Sequence, residues 1–289
     1  MSDAQKIQWF PGHMTKTKRQ IQDKLKLVDA VAEIIDARIP ISSRNPDLDE
    51  LLKSKPRIIL MNKADMADPI ETKKWIEYYK AHGVTAIAID CRIGKGLNGF
   101  FSSIKLLLKD QIENWNKKGM TGRSIRVMIV GVPNVGKSSF INRMSKGNKA
   151  KVEDRPGVTR GNQWFTIGKG FELLDTPGVL WPKFDDPKVG EKLAFTGAVK
   201  DQILDIELLA IRLLEFLNEE NYTSFKSRYK LDNVDTSSLN GSELLNLIGK
   251  KRGMLISGGE IDTERAAIMV VDEFRAAKLG RITLEKAVD

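Results

Sequence analysis

Residues 125–138 read Ile125-Arg126-Val127-Met128-Ile129-Val130-Gly131-Val132-Pro133-Asn134-Val135-Gly136-Lys137-Ser138. The first six form a short apolar run of the kind that makes a strand buried on both faces. A glycine turn follows, and a helix is predicted from Lys137. The last eight residues fit G-x-x-x-x-G-K-[ST] in the strand–turn–helix setting that this pattern requires. Glycines let backbone N–H groups turn inward to cradle phosphates, helped by the helix N-terminus. Lys137 is placed to reach β and γ phosphates, and the Ser138 hydroxyl to bind Mg²⁺. Asn134, Val135, Gly136 and Ser139 complete the expected contacts of the loop.

Three more apolar runs lie upstream. Val28 to Ile35 ends at Asp36-Ala37-Arg38, Arg57 to Met61 leads into Asn62, and Val84 to Ile89 leads into Asp90. Helical patterns separate the later ones. Ile70 to His82 carries Trp75, Ile76 and Tyr79 at helical spacing, with Gly83 as its stop signal. Gly96 to Lys118 contains a longer helix with Ile104, Leu107, Leu108 and Ile112 on one face. Gly119 to Arg123 reads as a linker, and Lys146 to Gly161 as a polar, basic, mobile loop. Gln163 to Ile167 and Phe171 to Leu174 are predicted to pair through the Gly168-Lys169-Gly170 turn.

Beyond about Leu204 strand signals cease. Leu208, Leu209, Ile211, Leu213 and Leu217 form one apolar face, Leu244, Leu245 and Ile248 a second, and Ala266, Ile268, Val271 and Phe274, within Thr263 to Ala277, a third. The expected fold is therefore α/β: a doubly wound, mostly parallel sheet over residues 1–200, N-terminal arm included, followed by a smaller all-α domain over 201–289.

The 289 residues leave room for one large domain or two smaller ones at about 150 residues each. With 41% hydrophobic and 29% charged residues, the chain can build a core and is not a disordered polymer. A formal charge of +9 favours a polyanionic partner. A single cysteine, Cys91, excludes a disulfide framework, and with only two histidines argues against structural zinc. No apolar run reaches the roughly 20 residues that span a bilayer. The first residues lack a secretory signal, so the expected setting is the cytoplasm, with no membrane partner.

Three further motifs narrow the chemistry. Asp175-Thr176-Pro177-Gly178 follows a predicted strand; an acid there can hold Mg²⁺ through water, and the Gly178 N–H can sense a γ phosphate. Thr159 lies between that motif and the phosphate loop, where its hydroxyl can complete the metal shell and order the loop when triphosphate binds. Asn62-Lys63-Ala64-Asp65 ends the second strand. The Asp65 carboxylate can accept from the N1–H and 2-amino groups of guanine, a pairing that adenine cannot offer. The Lys63 stem can cover the base face, and Asn62 can tie the loop together. Asp90-Cys91-Arg92, after the next strand, is placed to touch the base through backbone groups, although it departs from the usual Ser-Ala-Lys. These motifs describe a GTPase, but the base-reading motif precedes the phosphate loop. The order is that of a circular permutation, in which strand ends still converge on one crevice.

With Trp9-Phe10-Pro11-Gly12-His13-Met14, Asp36-Ala37-Arg38-Ile39-Pro40 and Ser43-Arg44-Asn45-Pro46 added to the nucleotide motifs, the chain resembles the circularly permuted, YlqF-like GTPases. The resemblance covers the arm and the GTPase region and reaches the tail only through its helical character. It implies a GTP-hydrolysing assembly factor that binds a late precursor of the bacterial large ribosomal subunit, is activated there and leaves. It also implies a hydrophobic residue where most regulatory GTPases carry a water-orienting Gln, and here Val179 and Leu180 follow Gly178. Asn134 resembles the asparagine that lets related GTPases bind K⁺; the alternative is a loop asparagine satisfying its own backbone. His13 corresponds to a histidine proposed to position the catalytic water, with RNA contact or capping of the Pro11-Gly12 turn as the alternatives. Basic clusters at Lys16, Lys18 and Arg19, at Lys146 to Arg160 and at Lys250-Lys251-Arg252 suit rRNA, and Trp9 and Phe10 suit either base stacking or anchoring. No obligate oligomer is expected. Two rivals remain: a nucleotide-gated rRNA-binding scaffold with incidental hydrolysis, and a GTPase acting on mature ribosomes.

Overall fold

A computed structural model describes residues 14–145, 163–168, 170–178, 180, 184, 186–199 and 205–287, with side chains from residue 19 onward. The chain divides into two compact units, one within Gln8–Lys183 together with Thr283–Asp289, the other Phe184–Ile282.

The first unit is built on six strands: β1 (Ala30–Asp36), β2 (Arg57–Asn62), β3 (Thr85–Ala88), β4 (Ile125–Val130), β5 (Trp164–Ile167) and β6 (Phe171–Asp175). Their order is β3-β2-β1-β4-β6-β5, parallel throughout except for the β5–β6 hairpin. All seven residues of β1 are buried, as both-face coverage of a central parallel strand demands. That burial includes Glu33, whose carboxylate takes charge-assisted bonds from Arg44 Nε and Nη2 at 3.2–3.3 Å. β4 runs beside β1, so the phosphate-loop strand is central despite arriving fourth. The permutation moves the chain start and leaves the sheet whole.

Two helices were not legible as such. Helix α1 (Met14–Leu25) occupies what the sequence suggests is only an arm, and its Ile21 and Leu25 pack with Val31, Met128, Trp164 and Leu174. Helix α2 (Pro46–Leu52) starts at Asn45, which accepts from Asp47 N–H, with Pro46 at the first helical position. Helix α3 (Pro69–Ala81) is capped by Asp68 and buries Trp75 and Tyr79, while Gly83, at φ +73°, ends it in the left-handed region. The single long helix expected within 96–118 is kinked at Leu108 into α4 (Asn98–Leu107) and α5 (Lys109–Lys117), although Ile104–Leu108 and Leu108–Ile112 backbone bonds persist across the bend. Helix α6 (Lys137–Ser145) follows the phosphate loop.

The second unit, among its described residues, contains α7 (Pro187–Phe195), α8 (Ile206–Glu219), α9 (Thr223–Arg228), α10 (Gly241–Lys251) and α11 (Thr263–Arg275), plus an isolated bridge between Leu255 and Ile261. Each helix carries its apolar stripe inward: Leu209, Leu213 and Leu217 on α8, Leu244, Leu245 and Ile248 on α10. On α11 the expected inward Ile268 is 46% exposed; Ala267 and Val270 take the buried positions beside Ala266, Val271 and Phe274. Leu208 and Ile211 are half-buried flanks of their stripe. The unit begins near Phe184, not at residue 201, because α7 belongs to it: Arg275 of α11 donates to the carbonyls of Ala194 and Phe195 at 2.9 and 3.1 Å. It ends at Ile282, and the last residues return to the first unit. Among the described residues no helix is long and apolar enough to cross a membrane.

Close approach of α8 and α10 depends on Gly241, where an added Cβ would fall 2.3 Å from the Ile211 carbonyl oxygen. Gly241→Ala is expected to cost about 1–3 kcal/mol by overpacking, read as a lowered urea midpoint in circular dichroism; an unchanged midpoint would show that the helices can part freely.

Candidate functional site

The crevice lies at the carboxyl ends of the parallel strands, where the connections diverge to either side of the β1–β4 pair. The loop after β4 is pressed against β1: Gly131 has φ +150°, and a Cβ there would lie 2.3 Å from the Ile34 carbonyl oxygen. Asn134, at φ +59°, and Gly136, at φ +102°, turn the loop through left-handed conformations. Lys137 folds back over it and donates to the Gly131 and Val132 carbonyls at 2.9 and 2.8 Å. Burial pushes its ammonium down to about 8, against the pull of Asp175. Ser138 and Ser139 are exposed at the start of α6.

Asp175 ends β6 and is half-buried. Burial raises its carboxyl, opposed by the Thr176 N–H and by Lys137 and Lys24. Among the described residues its buried Oδ1 has no hydrogen-bond partner. An orphaned carboxylate oxygen on the lysine side of a phosphate loop fits a hydrated Mg²⁺, and the Ser138 hydroxyl supplies the matching oxygen donor. Gly178 closes this end; a Cβ built on it would lie 2.9 Å from Lys137 Nζ and 3.0 Å from Pro133, so this glycine lies against the phosphate loop.

The base-reading half joins at one side chain. Asn62 donates from Nδ2 to the Val135 carbonyl at 2.7 Å and accepts from Cys91 N–H at 3.1 Å. A Cβ on Gly136 would sit 2.2 Å from that Nδ2, so the loop has glycine where Asn62 reaches in. Lys63, at φ +61°, sends Nζ to Asp36 Oδ2 at 2.9 Å. Asp36 also takes Arg38 N–H, Nε and Nη2 at 2.7–3.0 Å. Burial alone would raise the Asp36 carboxyl, but Arg38 and Lys63 beside it hold it far below the usual carboxylate range. Asp65 is met by Arg92 Nη2 at 2.8 Å. A carboxylate has about four lone-pair positions, so this contact leaves room for two guanine donors.

These residues line a cavity of about 450 Å³, the size of a small-molecule site. Of the expected contacts, Asn62, Lys63, Asp65, Asp90, Cys91, Asn134, Gly136 and Ser139 line it. Val135, Lys137, Ser138, Asp175 and Gly178 gather on the phosphate side. His13, Thr159 and Val179 lie outside the described residues, as do Trp9, Phe10 and Lys146 to Arg160; Leu180 is buried. Asp90 caps its own turn, accepting from Arg92 and Ile93 N–H at 2.8 and 3.3 Å. Cys91 takes part through its backbone, and its thiol is pushed up to about 12 by burial and by Asp90. Motif reading missed Met66, Asn142 and Arg143 in the cavity wall, and the Arg92 side chain on Asp65. Asn142 and Arg143 follow Ser138 by about one helical turn, so the signal was their phase on α6.

Known proteins resemble this chain over most of its length. Residues 126–240 match the family described as 50S ribosome-binding GTPase. The chain is 48% identical to ribosome biogenesis GTPase A of Bacillus cereus over 96% of its length and 93% of that protein. It is 34% identical to the protein of that name from Thermotoga maritima, over 98% of this chain and 95% of the other. Among solved structures, GDP-bound YlqF superposes with a TM-score of 0.66 at 32% identity, covering 94% of this chain and all of that one. YlqF of T. maritima bound to GNP gives 0.61 at the same identity, over 94% and 98%.

Two outcomes are expected. Asp65→Asn should weaken GDP binding about 10–100-fold, the worth of a charge-assisted pair, while improving binding of XDP; equal loss for both would place base recognition elsewhere. Lys137 is an ammonium below its value of about 8 and loses its proton above it. GDP affinity in titrations from pH 7 to 9 should therefore hold below about 8 and then fall; a flat profile to pH 9 would show that the ammonium is not lowered into this range.

Proposed function

The chain belongs to the ribosome biogenesis GTPase A family, and on that premise we propose that it binds a late precursor of the large ribosomal subunit, hydrolyses GTP when that particle activates it, and dissociates. The coarser statement, a GTPase of ribosome assembly, follows from the family. The observation that carries the chemistry is the Asn62 side chain, which bridges the phosphate loop and the base-side loop. A site divided between two distant stretches of sequence is thereby one nucleotide site.

Lys137 holds the β and γ phosphates and Asp65 the guanine edge. Ser138, Thr159 and, through water, Asp175 would hold Mg²⁺, which would supply charge neutralisation at the phosphates. Asn134 is the candidate K⁺ ligand, and a cation at that point would supplement Lys137 much as an arginine finger does. Val179 follows the Gly178 turn and offers no group to orient water, which suits a slow enzyme that a partner completes. His13 is the candidate for positioning that water on the particle. RNA contact is assigned to the basic residues: Arg19, Lys250 and Lys251 are exposed, and such binding weakens steeply with salt. The reading places the protein in the cytoplasm, as a species that needs no obligate oligomer.

Phosphate release from GTP, alone and with purified large subunits, in K⁺ and in Na⁺, tests this. Stimulation by subunits on the order of tenfold or more is expected, with the K⁺ buffer faster. Binding of GTP without turnover under any condition would leave a nucleotide-gated rRNA scaffold instead. Normal large-subunit assembly on depletion would point to mature ribosomes.

A further inference from the structure

The chain leaves its helical unit at Ile282, and residues 283–287 rejoin the nucleotide-binding unit. None of the chemistry above uses them. They are nevertheless buried like core: Thr283 is 1%, Leu284 5% and Glu285 8% exposed. Asp68 N–H donates to Thr283 Oγ1 at 3.0 Å, and Leu284 N–H donates to the Arg38 carbonyl at 2.8 Å. The Trp75 indole N–H donates to the Glu285 carbonyl at 2.9 Å. The Glu285 carboxylate accepts from Ile41 N–H at 2.6 Å, Ser42 N–H at 3.2 Å and the Ser42 hydroxyl. Ala287 packs against the cluster of Met61, Ala67, Trp75 and Tyr79.

These contacts fall on two segments, one after β1 and one after β2, and those segments bracket the base-reading loop. On the first, the Ser43 hydroxyl accepts from Asp36 N–H at 3.0 Å, and Asp36 in turn holds Lys63. On the second, Asp68 lies three residues after Asp65 and caps α3. A buried carboxylate that takes every free donor of a turn fixes that turn's backbone, since any movement strands the N–H groups away from water.

Resting on the GTPase reading, we infer that residues 283–287 are a positioning strap for the guanine-reading loop, with Glu285 as its anchor. Glu285 touches no nucleotide. It acts through the 38–43 turn and Asp36 on Lys63, while Thr283 acts through Asp68 on Asp65.

The test measures GDP and IDP affinities of the full-length chain and its variants, with melting temperature as the control. IDP lacks the 2-amino group, so the GDP-to-IDP ratio reports how well Asp65 is placed. Glu285→Ala should weaken GDP binding about tenfold and compress that ratio. Glu285→Gln keeps an acceptor oxygen for the turn and should recover most of both. Thr283→Val removes one neutral acceptor and should shift the ratio the same way by about threefold; it decides the matter if Glu285→Ala does not fold. Unchanged GDP affinity in folded variants, or equal losses for GDP and IDP, would overturn the strap. Failure of the unmodified chain to bind GDP would overturn the guanine reading beneath it.

Discussion

The Asn62 carboxamide is the joint on which the site turns. Its amide nitrogen holds the Val135 carbonyl and its oxygen holds the Cys91 N–H, so one planar group sets the spacing of three loops. A carboxylate would not serve, because the position needs a donor on one side and an acceptor on the other. Gly136 is its counterpart: a left-handed φ and no room for a Cβ beside Nδ2. Two residues distant in sequence are thus constrained by one contact, and both line the same cavity.

Around that joint the electrostatics divide in two. On the base side, Asp36 is buried with two cations and stays ionised, a fixed negative post for Arg38 and Lys63. On the phosphate side burial acts with less compensation, pushing Lys137 down and Asp175 up toward their neutral forms. Groups whose charged forms are disfavoured by desolvation are relieved when counter-charge arrives. Polyphosphate and a divalent cation bring it from both directions. The base half is thus pre-set, and the phosphate half is completed by what binds.

Much of this was readable from residues alone. Each strand of the sheet falls on an apolar run, and the hairpin falls on its glycine turn, because buried parallel strands leave an unbroken signal. The described motif residues, Asn62, Lys63, Asp65, Asp90, Cys91 and the loop 131–138, come together in the structure, while His13 and Thr159 lie outside the described residues. What could not be read has physical causes. Helix α1 hides in a polar stretch, since only Ile21 and Leu25 of its described side chains are buried. Ile268 reads as inward because it is large and apolar, whereas the buried phase of α11 falls on Ala266, Ala267, Val270 and Val271. The break at Leu108 has no proline or glycine to announce it. Most of all, a five-residue return of the chain has no periodicity: Glu285 looks like any surface acid until the turn that it caps is seen.

The pairing of β1 with β4 has a consequence for how the molecule comes into being. A ribosome releases the amino-terminal part first, and β1, β2 and β3 can associate as soon as they emerge. One edge of that half-sheet is β1, seven residues long and buried throughout in the finished fold. Its partner does not begin until residue 125. Until then the nascent chain carries a long apolar edge with unpaired backbone groups, the kind that invites foreign strands. The permuted order of synthesis leaves that edge of β1 open until the fourth strand is translated, where the unpermuted order would leave β4 open instead.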